Sequence, residues 1–516
     1  MKKIKPIIFY IILFLFILAF CTTADSYDND LWARLIVGMG VVQTGHVFKH
    51  DFLSYAPTHV WYDHEWGSGV IFYLTQHLFG SAGILILNAT LIFLIYFVIS
   101  KVVELRGVKT TTAFNFLFYY WAFIAISDSL IDPVRCQLFS FIFFTVFIYI
   151  LEKVRLGKGS DKTLIWLPVI MLIWNNLHGG CVAGIGLIVL YIIGEILNQK
   201  PFLKYVYALL GTLVVLPINP WGFAYLNFLF KANTMSRKYI IEWSWLFSKN
   251  YVWARMKFKL FTLVFLLTEL GVVIKRHKDK TFNFDKTKFI VVAATLYLAF
   301  EHLKLLPIAL IAMCCFFYDD FYSAFNAITR NFFNKIAITK DTIIYLLIVI
   351  FAASRLNAKA FQPLNDYLRY PVVATEFIRT NKIKGNVLVS FGFGSYVSYK
   401  LYPNNKVFID GRYEEVYDDF MLPMLGKFYV LKPGWDEVLK KYPPDILIIE
   451  KNYAVYYALQ RRKDYREVYE DMTVGVFVRP QLANRKFKPP SRDSKYYTRT
   501  VFDTDVNFVL KSKNEE

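Results

Sequence analysis

The chain has 516 residues, 56% of them hydrophobic and 18% aromatic, and a formal net charge of +19. This is more apolar and far more aromatic than a water-soluble chain of such length would be. Nucleic-acid binding is set aside as the meaning of the positive charge, because Lys and Arg concentrate in short segments between apolar runs, where membrane orientation accounts for them.

Met1-Lys2-Lys3-Ile4-Lys5 precedes the first apolar run, near 6–23. The run ends in Leu18-Ala19-Phe20-Cys21, and Phe20 does not suit a lipoprotein cleavage site, so a retained first span is expected. Further apolar runs lie near 81–100, 111–127, 134–151, 164–177, 181–197, 204–218, 258–274, 288–301, 304–318 and 341–354. Together they predict a polytopic α-helical bundle of about eleven spans. The segment from His64 to Phe79 reads as an interfacial helix. With the N-terminus inside, the loops Lys101–Lys109, Lys153–Lys162, Lys200–Lys204, Lys275–Lys288 and Arg330–Lys340 are all cytoplasmic and all basic, as the positive-inside rule requires. The basic outer loop 219–257 is the exception.

From Pro371 the texture changes. Short β-branched runs (Val387-Leu388-Val389, Ile446-Leu447-Ile448-Ile449, Val474–Val478) alternate with helix-like stretches, which predicts a small α/β domain. The expected organisation is a transmembrane domain at 1–355 with a large first outer loop at 24–80, an extracytoplasmic α/β domain at 356–482, and a basic, poorly ordered tail at 483–516. The five cysteines, Cys21, Cys136, Cys181, Cys314 and Cys315, all lie in or beside apolar runs. No disulfide framework or zinc spacing is therefore available after residue 355.

The polar residues worth attention fall on the outer side. Asp28 and Asp30 follow the first span. Two carboxylates two residues apart can share a divalent cation such as Mg or Mn, or one can act as a general base. An Asp there would equally cap the next helix. His64 and Glu65, with Trp66, make a second polar cluster able to line the same cavity. Asp128, Asp132 and Arg135 lie between the third and fourth spans, and Asn176 and His178 follow the fifth. Glu242 and Lys304 lie in later outer turns. Ionisable groups at such depth usually face a cavity or a partner. Gly392-x-Gly394 lacks the third glycine of a dinucleotide loop and reads as turn glycines.

The pattern Asp28-x-Asp30-Leu31-Trp32-x-x-Leu35-x-x-Gly38, Asp51-Phe52-x-Ser54-Tyr55, His64-Glu65-Trp66, Asn176-x-His178-Gly179 and Phe408-Ile409-Asp410-Gly411-Arg412 resembles a family of bacterial multi-pass proteins related to the GT-C glycosyltransferases. The resemblance covers most of residues 24–480. It implies an acidic motif in the first outer loop, at Asp28 and Asp30, and a second acidic site at Asp128 or Asp132. It also implies an architecture similar to the catalytic subunit of oligosaccharyltransferase. The Trp-Trp-Asp-Tyr-Gly motif of that subunit is absent: the comparable place reads Ser390-Phe391-Gly392-Phe393-Gly394-Ser395-Tyr396, so sequon recognition is not expected.

The resemblance implies a transferase in a bacterial inner membrane. It would move a sugar from a polyprenyl-phosphate donor to a glycan, lipid or protein acceptor at the outer face. Asp30, Asp28, Glu65 and His64 are the expected catalytic residues. Arg135, His178, Lys304, Asn176 and Glu242 are expected to bind substrate, and Asp28, Asp30, Asp128 and Asp132 to hold a metal. The rival readings are a non-enzymatic envelope assembly protein and, against the absence of an internal repeat, a transporter.

Overall fold

The computed structural model describes residues 6–22, 28–109, 113–130, 134–235, 237, 240–248, 255–280, 284–333, 337–356 and 370–490. Asp132 and the end of the expected tail lie outside them, as do the side chains of Asp128 and of residues 326–344. In chain order the helices are α1 (Pro6–Cys21), α2 (Asn29–Thr44), α3 (Trp66–Leu105), α4 (Ala113–Leu130), α5 (Gln137–Arg155), α6 (Trp166–Leu177), α7 (Val182–Leu197) and α8 (Leu203–Val215). Then come α9 (Ala224–Thr234), α10 (Met256–Lys278), α11 (Lys286–Glu301), α12 (Leu306–Phe316), α13 (Tyr318–Phe333) and α14 (Ala337–Arg355). The chain divides into two compact units, one of Met1–Thr23, Leu85–Asp132 and Cys136–Ala360, the other of Ala24–Ile84, Pro133–Arg135 and Phe361–Glu516.

The first unit is a helical bundle. Among the described residues, three helices are long and apolar enough to cross a membrane: Trp66–Leu105, Gln137–Arg155 and Gly179–Leu197. Leu303–Phe316 and Tyr318–Phe325, bent by 60°, would make a fourth as a broken span. Shorter apolar helices stand at four more expected positions: Pro6–Cys21, Asn115–Ser127, Leu203–Val215 and Tyr345–Arg355. The protein is thus a membrane protein, while a count of eleven spans goes beyond what helix length alone supports. The expected interfacial helix and second span meet inside α3 at Gly80, whose φ of 59° and ψ of −155° break the helix at a residue free to adopt that conformation.

Some of the basic residues that the sequence assigned to orientation are also structural. Arg155 donates to Glu152 and Asp285, and Arg106 to Glu152 at 3.0 Å and Asp319 at 3.5 Å. Glu152 is fully buried, and a buried charge persists only when paired and hydrogen-bonded.

The second unit holds the sheet. Its strands are β1 (Gly385–Val389), β2 (Asn405–Val407), β3 (Ile446–Glu450), β4 (Arg466–Glu470) and β5 (Val474–Val478), in the order β2-β1-β3-β5-β4. β1 runs parallel to β2 and β3, and β5 antiparallel to β3 and β4. The helix after β1, Phe391–Leu401, which we label α15, leads to the β2 edge.

The first-loop residues belong to this unit. Leu53 and Tyr55 exchange backbone hydrogen bonds with Val407 at 3.0 Å each, which covers an edge strand that would otherwise be open to pairing. α2 packs on α15 and is buried along Leu31–Val41, so it does not present the one-sided face of an interfacial helix. Trp32 sits 5.0–5.8 Å from the rings of Tyr370, Tyr396 and Tyr399. Gly38 lets α2 meet α3: a methyl group on it would lie 2.0 Å from the Gly69 carbonyl oxygen.

Candidate functional site

Three polar clusters of the second unit involve residues of the first loop. The first opens α2. Asp28 takes an extended conformation and its carboxylate accepts the Asp30 N–H at 2.9 Å, as an N-cap does. Its other oxygen accepts from Arg135 Nε at 2.8 Å and also from Nη2. Both oxygens of Asp28 are thereby committed to N–H donors, and the side chain is buried. Arg135, expected to bind substrate, is the partner of Asp28. Asp30 stands in the first turn, half-buried. Its carboxylate faces Gly411, where a methyl group would come within 2.6 Å of Oδ1. The Phe408–Arg412 motif thus lies against the first-loop acid, and its glycine leaves the room.

Arg34, four residues on from Asp30 and hence on the same helix face, centres the second cluster. It donates to Asp63 Oδ1 at 2.6 Å and to Glu415 Oε2 at 3.3 Å, and its Nε lies 3.4 Å from Glu65 Oε2. His64 is 3.4 Å from Glu415 and 3.6 Å from Glu65. Trp61 Nε1 donates to Glu415 at 2.8 Å. Three carboxylates share one guanidinium. Burial pushes the Glu415 carboxyl up to about 8, with Asp63 and Glu65 adding to the shift and Arg34 and Trp61 opposing it. The sequence signalled His64 and Glu65 but neither Arg34, inside an apolar helix, nor Glu415.

The third cluster joins two motifs singled out in the sequence. Arg412 donates to Asp51 at 2.6 Å, to Asp410 at 2.8 Å and to Ser54 Oγ at 3.3 Å, and its guanidinium lies 4.8 Å from the Trp61 ring centre. Burial works to raise the Asp51 carboxyl, but Arg412 and the hydrogen bonds outweigh it and hold it below the ordinary range. All the polar groups here have partners, so this cluster is a fastening.

The bundle unit contributes separate groups. His178 caps the turn after α6. Its Nδ1 accepts the Gly180 N–H at 3.0 Å and lies 2.6 Å from Ser140 Oγ, which in turn accepts from Trp174 Nε1 at 2.7 Å. With Nδ1 an acceptor, the neutral ring carries its proton on Nε2 and presents a donor there. Asn176 Nδ2 donates to the Leu172 and Ile218 carbonyls, so its amide ties α6 to the chain after α8. Lys304 Nζ lies 5.2 Å from the Trp243 ring centre and the Arg237 guanidinium 4.1 Å from it, with His302 at 4.9 Å. Glu242, beside that tryptophan, is half-buried. Two cations and a histidine around one indole suit an anionic oxygen. Of these, the sequence singled out Lys304 and missed Arg237.

The four acids expected to hold a metal are not assembled among the described residues. Asp28 is bound by an arginine, Asp128 and Asp132 are not described at side-chain level, and Asp30 remains. One carboxylate does not make a divalent-cation site.

No protein-family model matches the sequence, and no curated protein matches it. Solved structures do. The oligosaccharyltransferase AglB of Archaeoglobus fulgidus, in complex with an inhibitory peptide and a dolichol-phosphate, superposes with a TM-score of 0.59 at 10% identity, over 87% of this chain and 70% of that one. The same archaeal enzyme tethered to an acceptor peptide gives a TM-score of 0.56 at 10% identity, over 87% and 69%. The mycobacterial arabinofuranosyltransferase AftD gives 0.50 at 11% identity, over 92% of this chain and 40% of that one. Both enzymes are GT-C glycosyltransferases, and the chain has a GT-C-like architecture.

Proposed function

We propose that this protein is a membrane glycosyltransferase that takes a sugar from a polyprenyl-phosphate-linked donor and passes it to an envelope acceptor at the outer face of a bacterial inner membrane. The GT-C-like architecture supports glycosyl transfer in general. The observation that carries the reading is the division of labour between the two first-loop acids. Asp28 is fixed by its cap bond and by Arg135, whereas Asp30 is held on the first turn of α2 beside Gly411.

In this reading Asp30 accepts the proton of the acceptor hydroxyl as its oxygen bonds to the sugar C1, and the C1–O bond to the lipid phosphate breaks. The leaving phosphate gains negative charge, which cationic or N–H donors must offset. In the bundle unit His178 Nε2, Lys304 and Arg237 have that chemistry, and Glu242 lies beside the latter pair. In the second unit, Glu415, His64 and Glu65 form a group of acid and base side chains around Arg34. No step above uses a divalent cation, since the expected acids are not brought together. Incubating the purified chain with radiolabelled polyprenyl-phosphate sugars and an envelope extract tests the reading. Transfer that is lost in Asp30→Asn supports it, and equal transfer by both proteins removes Asp30 from the reaction.

A further inference from the structure

The bundle unit contains a groove of about 1020 Å³ between α4, α10 and α13. Its walls are apolar: Leu117, Phe118 and Trp121 from α4, Val264 and Leu267 from α10, and Phe321 from α13. Phe321 packs against this wall with its ring tilted, 5.7 Å from Phe118 and 6.0 Å from Trp121. The α13 wall belongs to the helix that leaves α12 at the 60° bend.

Three observations say what fills it. The α10 wall is continuous with an exposed apolar face, Leu263, Leu266, Leu267, Leu270 and Ile274, which in a membrane protein is the face that lipid chains cover. Besides Thr268 and Ser323 the lining carries charge only from the end of α10, at Lys275, Arg276 and Asp279. There the exposed run Lys275-Arg276-His277-Lys278-Asp279-Lys280 sets four cations against one acid. Arg276 and Lys288 are taken up by Asp320, and Lys288 also holds Glu269 at 3.0 Å. Lys275 makes no ion pair among the described residues. An amphiphile with an apolar chain and one negative headgroup matches this in shape and charge.

We propose that the groove binds an anionic phospholipid of the surrounding bilayer, with an acyl chain against Trp121, Leu267 and Phe321 and the phosphate at Lys275. This inference does not rest on the glycosyltransferase reading. The site differs from the groups assigned there to the leaving phosphate, and none of its residues takes part in that chemistry. A bound lipid would brace the broken α12–α13 segment against α4 and α10.

Gly271 lines the groove, and a Cβ built on it meets nothing within 4 Å. A leucine there would enter the groove without a clash and would suit the helix better than glycine. The test uses the purified full chain in neutral detergent, with native mass spectrometry of lipid adducts on adding phosphatidylglycerol or phosphatidylcholine. The wild type is expected to retain phosphatidylglycerol in preference. Gly271→Leu is expected to lose both adducts at an unchanged melting temperature. Lys275→Gln is expected to keep phosphatidylcholine and to lower the preference for the anionic lipid about five-fold. Equal retention of the two lipids by the wild type overturns the proposal, as does unchanged phosphatidylglycerol binding by Gly271→Leu. Should Gly271→Leu fail to fold, an unaltered preference in Lys275→Gln overturns it alone. One-for-one displacement of phosphatidylglycerol by a lower concentration of polyprenyl phosphate also overturns it, by assigning the groove to another lipid.

Discussion

Arg412 donates to Asp51 at 2.6 Å across 361 residues of chain, with both side chains buried. The pair fastens the first loop to the β2 edge, where Ser54 bridges Val407. Removing one member of a buried, hydrogen-bonded pair strands the other. Arg412→Met, which leaves Asp51 and Asp410 without their guanidinium, is expected to destabilise the second unit by about 3–5 kcal/mol. Arg412→Lys should recover little, since a lysine cannot reproduce the forked contacts. Thermal melting of the purified variants checks both.

Two fully buried carboxyls of the second unit contribute to its pH dependence with opposite sign. Asp51 titrates below its ordinary value when folded, so its stabilising contribution is present above that value and is lost as pH falls through the folded one. Glu415 titrates at about 8 when folded against 4.5 ordinarily. Its contribution is complete below 4.5 and is lost as pH rises through about 8. The unit is therefore expected to weaken at both ends of the range. Glu415→Gln, which fixes the neutral form, is expected to flatten the alkaline side and leave the acid side unchanged in melting curves taken from pH 4 to pH 9.

The strands of the second unit were legible because β-branched runs bounded by turn residues carry their own signal, as at Val387–Val389 and Val474–Val478. The break at Gly80 was legible as the point between an interfacial helix and a span. The pairings were not. Arg34 stands in an apolar helix and finds Asp63 and Glu415 only after the chain has folded, and no local spacing links Asp51 to Arg412. Asp28 and Asp30 look equivalent in the sequence. The N-cap bond between them is local, but Arg135, which commits the second oxygen of Asp28, comes from far along the chain.

Gly38 was part of the sequence pattern without an evident reason. The approach of Gly69 supplies one. Gly38→Ala forces α2 and α3 apart and is expected to cost about 1–3 kcal/mol, as overpacking does. The melting temperature should fall, and a compensating change at Gly69 is not available because the contact is with its backbone.

Trp243 gathers Arg237 and Lys304. If that group receives the phosphate of the donor, Trp243→Leu loosens both cations at once. The Michaelis constant for the lipid donor is expected to rise about tenfold while that for the acceptor stays the same. Equal changes in both constants would point to a general loss of packing.

The glycosyltransferase account stands or falls on Asp30. Asp30→Asn keeps the size of the side chain and its place in the first turn of α2 while removing its charge. Expression, membrane insertion and melting temperature are expected to match the wild type, and sugar transfer from a polyprenyl-phosphate donor is expected to fall on the order of 100-fold or more. Measuring transfer and melting on the same preparation is the most direct test. A stable, inactive Asp30→Asn protein is the predicted result, and a stable, fully active one would contradict the account.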